Sequence, residues 1–194
     1  MIKYSPFINF LFLLCCSISW SQNKYEQEYR ISQSEFPSNA YNLISQQLES
    51  SKRIRFYKEI DSVKKSFEAK FKKGKLHYSI EFDKHGNLED IEFQIKEVDI
   101  PEDSWSSIST YLIHTFRKVR IVKIQQQYPI DDGPTEKIIK QAFQNLILPY
   151  INYEIVFTAK GKKGFLTYEA LFNAEGKLVK LRKSLSSSYN HVLF

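Results

Sequence analysis

The chain has 194 residues, of which 42% are hydrophobic and 15% aromatic, with only six Gly and six Pro. So much Phe, Tyr, Ile and Leu excludes a disordered or collagen-like chain, and a mean hydropathy of −0.40 excludes a polytopic membrane protein. Lys plus Arg number 28 against 22 Asp plus Glu, a formal balance of +6, and the length fits one domain or two small units sharing a core.

Residues 1–21 read as an address. Lys3 supplies a positive start, Phe7 to Ile18 is almost wholly apolar, and small residues stand at Ser19 and Ser21. That order describes a secretory signal peptide cleaved after Ser21, with an uncleaved anchor as the alternative. The apolar run is shorter than the ~20 residues that span a bilayer comfortably. Both cysteines, Cys15 and Cys16, fall inside it, so the mature chain is expected to hold no disulfide and no thiol ligand. A membrane contact is expected only if Cys16 is the lipidated residue of a lipoprotein. Leu13-Leu14-Cys15 lacks the small residues such a site wants, so release into the periplasm is the leading expectation. Export also removes nucleic acid as a partner. The basic residues of 160–183 alternate with apolar ones and read as a solvated strand face.

The rest of the chain carries one pattern twice. Phe36-Pro37 and Ile100-Pro101 each open a helix, with Pro at the first helical position, where its missing N–H costs nothing. Tyr41, Ile44 and Leu48 then match Trp105, Ile108 and Leu112, the spacing of one buried helical face. A strand follows each helix: Ile54, Phe56, Lys58 and Ile60 alternate with Arg53, Arg55, Tyr57 and Glu59, and Val119 with Ile121 is the counterpart. Phe67–Phe71 matches Tyr153–Phe157, and a Gly turn comes next, at Gly74 and at Gly161 or Gly164. Leu76–Phe82 then matches Leu166–Phe172.

The next turn is the clearest match. Phe82-Asp83-Lys84-His85-Gly86-Asn87-Leu88 faces Phe172-Asn173-Ala174-Glu175-Gly176-Lys177-Leu178. Asp or Asn opens each turn, and Gly supplies the positive φ a tight hairpin requires. A last strand closes each copy, Ile91-Phe93-Ile95 and Leu181 to Leu185. The second copy is longer by an insertion. Tyr128–Pro134 forms a turn cluster, and Ile138, Ile139, Ala142, Phe143, Leu146 and Ile147 then form a helical stripe ended by Pro149.

The expected fold is therefore α+β, two tandem units of one helix and four antiparallel strands. The units span 22–98 and 99–185, with an inserted helix at 134–148 and a tail at 186–194. The order of elements and the hairpins at 82–88 and 172–178 resemble the PepSY-like family, also described as β-lactamase-inhibitor-like. The resemblance covers about residues 30–185. It implies a small exported protein of tandem α/β4 units, a non-enzymatic binding or inhibitory module with no catalytic residues to transfer. The insertion at 129–149 departs from that pattern.

Chemistry is sparse. His77, His85, His114 and His191 form no His-x-x-x-His or Glu-x-x-His pair, so no metal is expected, and no phosphate-binding Gly loop is present, so no cofactor is expected. Asp83 with Asn87, and Asp131-Asp132 with Gly133, resemble pieces of calcium loops but supply too few oxygens and read as turns. The Ser186–Ser188 run has no base beside it. The chain is thus expected to be no enzyme but a periplasmic module that binds an envelope protein, with a carrier or sensor of a small amphiphile as the alternative.

Two expectations concern the sheet faces away from the helices. In the first copy that face carries Arg55, Tyr57, Glu59, Glu68, Lys70, His77, Ser79 and Glu81. It is expected to be wet, with Arg55, Tyr57, Lys70, His77 and Glu81 as the candidate partner surface. In the second copy the equivalent positions hold Val122, Ile124, Glu154, Val156, Thr167, Glu169 and Leu171, with Phe165 just before them, and this face is read as an apolar group. The inserted helix is expected to cover it as a third layer.

Overall fold

A computed structural model describes residues 22–24, 26–61, 64–130 and 133–184 of the chain. The signal-like segment 1–21 with both cysteines, the Asp131-Asp132 pair, Leu185, His191 and the tail lie outside the described residues. Among those described, no helix is long and apolar enough to cross a membrane.

The elements run β1 (Gln22–Lys24), β2 (Glu26–Ile31), α1 (Ser38–Leu48), β3 (Lys52–Asp61), β4 (Lys64–Lys73), β5 (Leu76–Asp83) and β6 (Leu88–Ile95). There follow α2 (Glu102–Thr115), β7 (Arg120–Pro129), α3 (Thr135–Phe143), β8 (Asn152–Gly161), β9 (Gly164–Asn173) and β10 (Leu178–Ser184). All the strands form one sheet in the order β1-β10-β9-β8-β7-β6-β5-β4-β3-β2. β3–β6 follow α1 as one antiparallel meander, and β7–β10 follow α2 as another, with α3 between β7 and β8. The two meanders are not separate sheets, because β6 pairs antiparallel with β7 from Asp90 opposite Pro129 to Ile95 opposite Ile124.

β1 and β2, which the sequence pattern does not announce, decide the shape. β1 lies parallel to β10 at one edge, and β2 lies antiparallel to β3 at the other. A single residue separates them in the chain. Neighbouring strands are about 4.8 Å apart, so one residue can join the two edges only if the sheet curls until they approach. The face away from the helices is therefore enclosed, and the expectation of a wet face fails. Tyr57, Glu59, Glu68 and Ser79 are all buried.

The helices cover the outer, convex face. α1 and α2 are each preceded by a 3-10 turn, and the backbone N–H of the residue before that turn donates to an acid three residues on, Ser32 to Glu35 at 2.9 Å and Lys96 to Asp99 at 2.8 Å. Pro37 and Pro101 are the N-cap residues, one position earlier than the sequence suggests. Ala40, Ile44 and Leu48 form the buried stripe of α1, while Tyr41 is half-buried. Phe36, just ahead of the helix, meets the Phe56 ring at 4.7 Å and the Phe82 ring at 5.6 Å. In α2 the stripe is Ser104, Ile108 and Leu112, with Trp105 half-buried.

The two matched hairpins also dock the helices. Gly86 (φ +78) and Gly176 (φ +76) both take the left-handed conformation. Asn39 of α1 donates to the carbonyls of His85 and Gly86, at 2.9 and 3.1 Å, and Ser104 of α2 donates to that of Ala174 at 2.6 Å. A Cβ on Gly86 would strike the Asn39 side chain, and one on Gly176 would strike the Ser104 carbonyl. Gly is therefore required twice at each turn, for its φ and for the close approach of the helix.

The inserted helix corrects two expectations. It ends at Phe143 rather than 148, because Asn145 turns into the left-handed region (φ +53). The N–H of Leu146 then donates to the Gln141 carbonyl at 3.2 Å and that of Asn145 to Ala142 at 3.1 Å, a closed helix terminus. Ile147 is left 57% exposed. Nor does α3 form a third layer. Phe143 stacks on Tyr78 at 4.7 Å and on Phe71 at 6.3 Å, and Tyr128 donates to the Leu146 carbonyl, so α3 lies on the same face as the other helices.

The apolar patch that α3 was expected to cover is reduced to Val156 and Leu171. A bulge between Ile121 and Lys123 shifts the register of β7 by one, pairing Lys123 with Val156 and Ile124 with Ile155. Ile124 thereby joins the helix-side core, Val122 is half-exposed in the bulge, and Lys123, Gln125 and Gln127 take the inner face. One residue of slip exchanges the two faces of a strand.

Candidate functional site within the curled sheet

The inner face of the sheet encloses a cavity of about 300 Å³. Its walls come from β3 through β10 and are mostly charged: Glu81, Asp90, Glu92, Glu154 and Glu169 line it, together with Lys64, Lys180 and Arg182 and the apolar Leu171. No histidine or cysteine is among the lining residues. Alternation places these groups there. In β6, Ile91, Phe93 and Ile95 face the helices, so Asp90 and Glu92 must face inward.

Side-chain amides from the neighbouring strand hold the two central acids. Gln125 Nε2 donates to Glu92 Oε2 at 2.7 Å. Gln127 Nε2 reaches Glu92 Oε1 at 3.0 Å and Asp90 Oδ2 at 3.2 Å, while its own oxygen accepts from Asn152 at 3.0 Å. Burial raises the Asp90 carboxyl well above the usual range, and the surrounding acids Glu81, Glu154, Glu89 and Glu68 add to the rise. Glu92 is raised in the same way, by burial first and then by Glu154, Asp90 and Glu81, with Lys123 opposing.

A second acidic group lies beside the cavity. Carboxylate oxygens of Glu28, Glu59 and Glu68 come within 4.8 Å of one another, the spacing a metal ion would need. The chain's own cation occupies this group. Lys70 Nζ lies 2.6 Å from Glu28 and 2.7 Å from Glu68, and 4.8 Å from the centre of the Tyr57 ring. Burial works against charge on both partners of the Glu68–Lys70 pair. Their mutual attraction outweighs it, holding Glu68 low and raising Lys70, and Ser79 donates a further hydrogen bond to Glu68.

The five residues singled out from sequence share this inner face but do not form one open surface. Glu81 lines the cavity, and Tyr57 and Lys70 belong to the neighbouring group. Arg55 pairs in register with Lys70, and His77 stands opposite Lys72 near the other end of the hairpin. Burial, then Lys72 and Arg53, lowers the His77 pKa. Sequence reasoning missed Glu28, Asp90, Glu92, Gln125 and Gln127. The parity of β6 already turned its two acids inward; what was hidden was the β6–β7 pairing that brings the glutamines beside them. Asp83 behaves as a turn residue, its carboxylate accepting from the His85 and Asn87 N–H groups at 2.8 and 2.9 Å. His85 and His114 are exposed.

No family model and no curated protein matches the chain. Several solved structures do. A DUF2874 family protein from Bacteroides uniformis ATCC 8492 is 9% identical, covering 79% of this chain and 93% of its own, with a TM-score of 0.52. A protein provisionally described as periplasmic, from Bacteroides eggerthii DSM 20697, is 8% identical over 81% and 94%, with a TM-score of 0.51. A BLIP-like protein from Bacteroides fragilis NCTC 9343 is 11% identical over 80% and 92%, with a TM-score of 0.49. At such identities the likeness is one of fold: this chain is similar to the first two in its antiparallel sheet backed by helices.

Proposed function

We propose that the protein is a non-catalytic binding module of the periplasm, built of two tandem α/β4 units and exported by residues 1–21. The observation that carries this reading is the concave, polar cavity, which has the size of a small-molecule site at the lower end of the usual ~300–1,000 Å³. Concavity favours a small ligand over a protein, because Tyr57 and Lys70 are too buried to meet a flat partner surface. The charged walls disfavour an amphiphile, which would need an apolar chamber. Arg55, Tyr57, Lys70, His77 and Glu81 enter this reading as parts of the inner wall and its extension. The periplasmic description of the Bacteroides eggerthii structure and the signal-like N-terminus support the location.

The test is to express the whole chain, with its own N-terminus, in a Gram-negative host and recover it by fractionation. The reading expects periplasmic protein beginning at Gln22 and carrying a small molecule detectable by native mass spectrometry. Protein that retains residues 1–21 in the cytoplasm, or that never carries a ligand from envelope extract, overturns it.

A further inference from the structure

One end of the curled sheet is basic. Strand pairing places there the start of β3 (Lys52 opposite Lys72) and the β4–β5 hairpin (Lys73 opposite Leu76). The start of β7 (Arg120 opposite Thr158) and the β8–β9 hairpin (Gly161 opposite Gly164) reach the same end, because β6 and β7 join the halves with Ile95 opposite Ile124. The segments that enter and leave this end, 50–58, 69–80, 104–130 and 155–168, hold fifteen Lys and Arg and no Asp or Glu. Cavity-lining residues such as Lys64, Glu89 and Leu171 lie toward the opposite end.

The charges at this end are uncompensated. Arg53, Lys75, Arg117, Lys118, Lys162 and Lys163 are exposed, and no ion pair joins them to a described carboxylate. Glu49, Glu97 and Asp99 are the acids of the adjoining turns, and Asp99 accepts from the Lys96 N–H. The Lys160 N–H donates to the Arg117 carbonyl at 2.7 Å, which ties the α2–β7 loop to the neighbouring hairpin. Arg53 (φ +56) and Lys118 (φ +52) stand in the left-handed region, where Gly or Asn is the cheaper residue. A basic side chain kept at such a position in each half of the chain is a cost that local folding does not explain.

The kind of partner follows from extent and from the apolar groups present. The two hairpins stand four strands apart, about 19 Å at the usual strand spacing, too far for one small anion to bridge. Phe165 is 46% exposed at the β8–β9 hairpin, with the Arg120 guanidinium 5.0 Å from its ring centre. Ile113, in the last turn of α2, is 71% exposed. An exposed ring and an aliphatic side chain among cations suit a boundary where negative headgroups meet hydrocarbon. A polyanion wholly in water would have no use for them.

We propose that this end of the sheet rests on an anionic phospholipid bilayer, with its lysines and arginines over the headgroups and Phe165 at their boundary with the acyl chains. The contact is peripheral, needs no lipid on Cys16, and does not depend on what the cavity holds. The chain as recovered from a Gram-negative host is sedimented with vesicles of phosphatidylcholine, alone or mixed with phosphatidylglycerol. Binding to the anionic vesicles is expected to be about tenfold tighter, and to fall about tenfold between about 0.1 and 0.5 M salt. Lys118→Gln, Lys162→Gln and Lys163→Gln together should remove most of that preference. Lys65→Gln, Lys84→Gln and Lys177→Gln, the same change of charge at the opposite end, should leave it intact. Phe165→Ala should weaken binding severalfold, and thermal melts confirm that each variant is folded. No preference for the anionic vesicles overturns the proposal, and so do equal losses in the two triple variants, which would show net charge alone. Soluble polyglutamate bound as tightly as the vesicles, with no effect of Phe165→Ala, would assign this end to an acidic polymer and overturn it as well.

Discussion

Two groups of acids share the inner face of one sheet and are balanced in opposite ways. Beside β2, β3 and β4, Glu28, Glu59 and Glu68 lie together, and the Lys70 ammonium stands at ion-pair distance from Glu28 and Glu68. At the centre, Asp90 and Glu92 meet only amides, and burial with neighbouring acids lifts their carboxyls well above the usual range. The same residue type in the same sheet is held as a carboxylate where the chain supplies its own cation, and pushed toward the protonated form where it does not. The first group ties β2 to β4 through one ammonium, and the second is held by side-chain amides of β7.

The largest expected effect comes from removing the internal cation. Lys70→Met leaves three carboxylates together without a counter-charge, and loss of one partner of a buried pair costs about 3–5 kcal/mol. Equilibrium denaturation at neutral pH should show that loss. If it falls below about 1 kcal/mol, the two groups are not balanced differently and the comparison fails.

The matched turns sharpen a second contrast, between the two halves. Gly86→Ala and Gly176→Ala each force a side chain into the left-handed region, at about 1–3 kcal/mol. The obstacle at Gly86 is the Asn39 side chain, which can rotate away, whereas at Gly176 it is the Ser104 backbone. Gly176→Ala should therefore cost more, as thermal melts of the two variants would show. Equal costs would mean that φ alone, and not helix docking, determines the residue.

The smallest effect distinguishes the central acids. Asp90 binds its proton more tightly in the folded chain than in the unfolded one, where the pKa is about 4. Its ionisation therefore costs stability, increasingly as pH rises from the unfolded pKa through the raised folded one. Asp90→Asn removes that cost. In the absence of ligand it should melt about 2–4 °C above the native chain at neutral pH, a gain on the order of 1 kcal/mol. The difference should vanish below about pH 4. Glu68 has the opposite sign: its folded pKa is depressed, so its contribution is present above the unfolded pKa and is lost as pH falls through the folded one. A stability gap for Asp90→Asn that widened toward acid would contradict the assignment.

Much of the outer architecture is legible in the chain itself. The spacing of Ile44 with Leu48 and Ile108 with Leu112, the alternation along Phe67–Phe71 and Tyr153–Phe157, and the Asp/Asn-x-x-Gly hairpins are local signals. The backbone obeys them wherever they fall. Reading the inserted helix from Ile138, Ile139 and Ala142 rests on the same periodicity, and its early end at Asn145 turns on a φ that Gly usually supplies.

What local pattern cannot carry is the relation between strands distant in sequence. The bulge at 121–123 exchanges the faces of β7, because a one-residue slip sends Ile124 to the core and Gln125 inward without changing the composition of the strand. The placement of α3 follows from that exchange: once the apolar inner patch is reduced, Phe143 finds its partners in Phe71 and Tyr78, some seventy residues earlier. Curling is likewise a closure event, in which β1 and β2, nearly adjacent in the chain, attach to opposite edges of the sheet. Residue type and spacing determined the helices, the hairpins and the inward parity of Asp90 and Glu92. Register and closure, which depend on long-range backbone pairing, decided that these acids would line a cavity within the curled sheet.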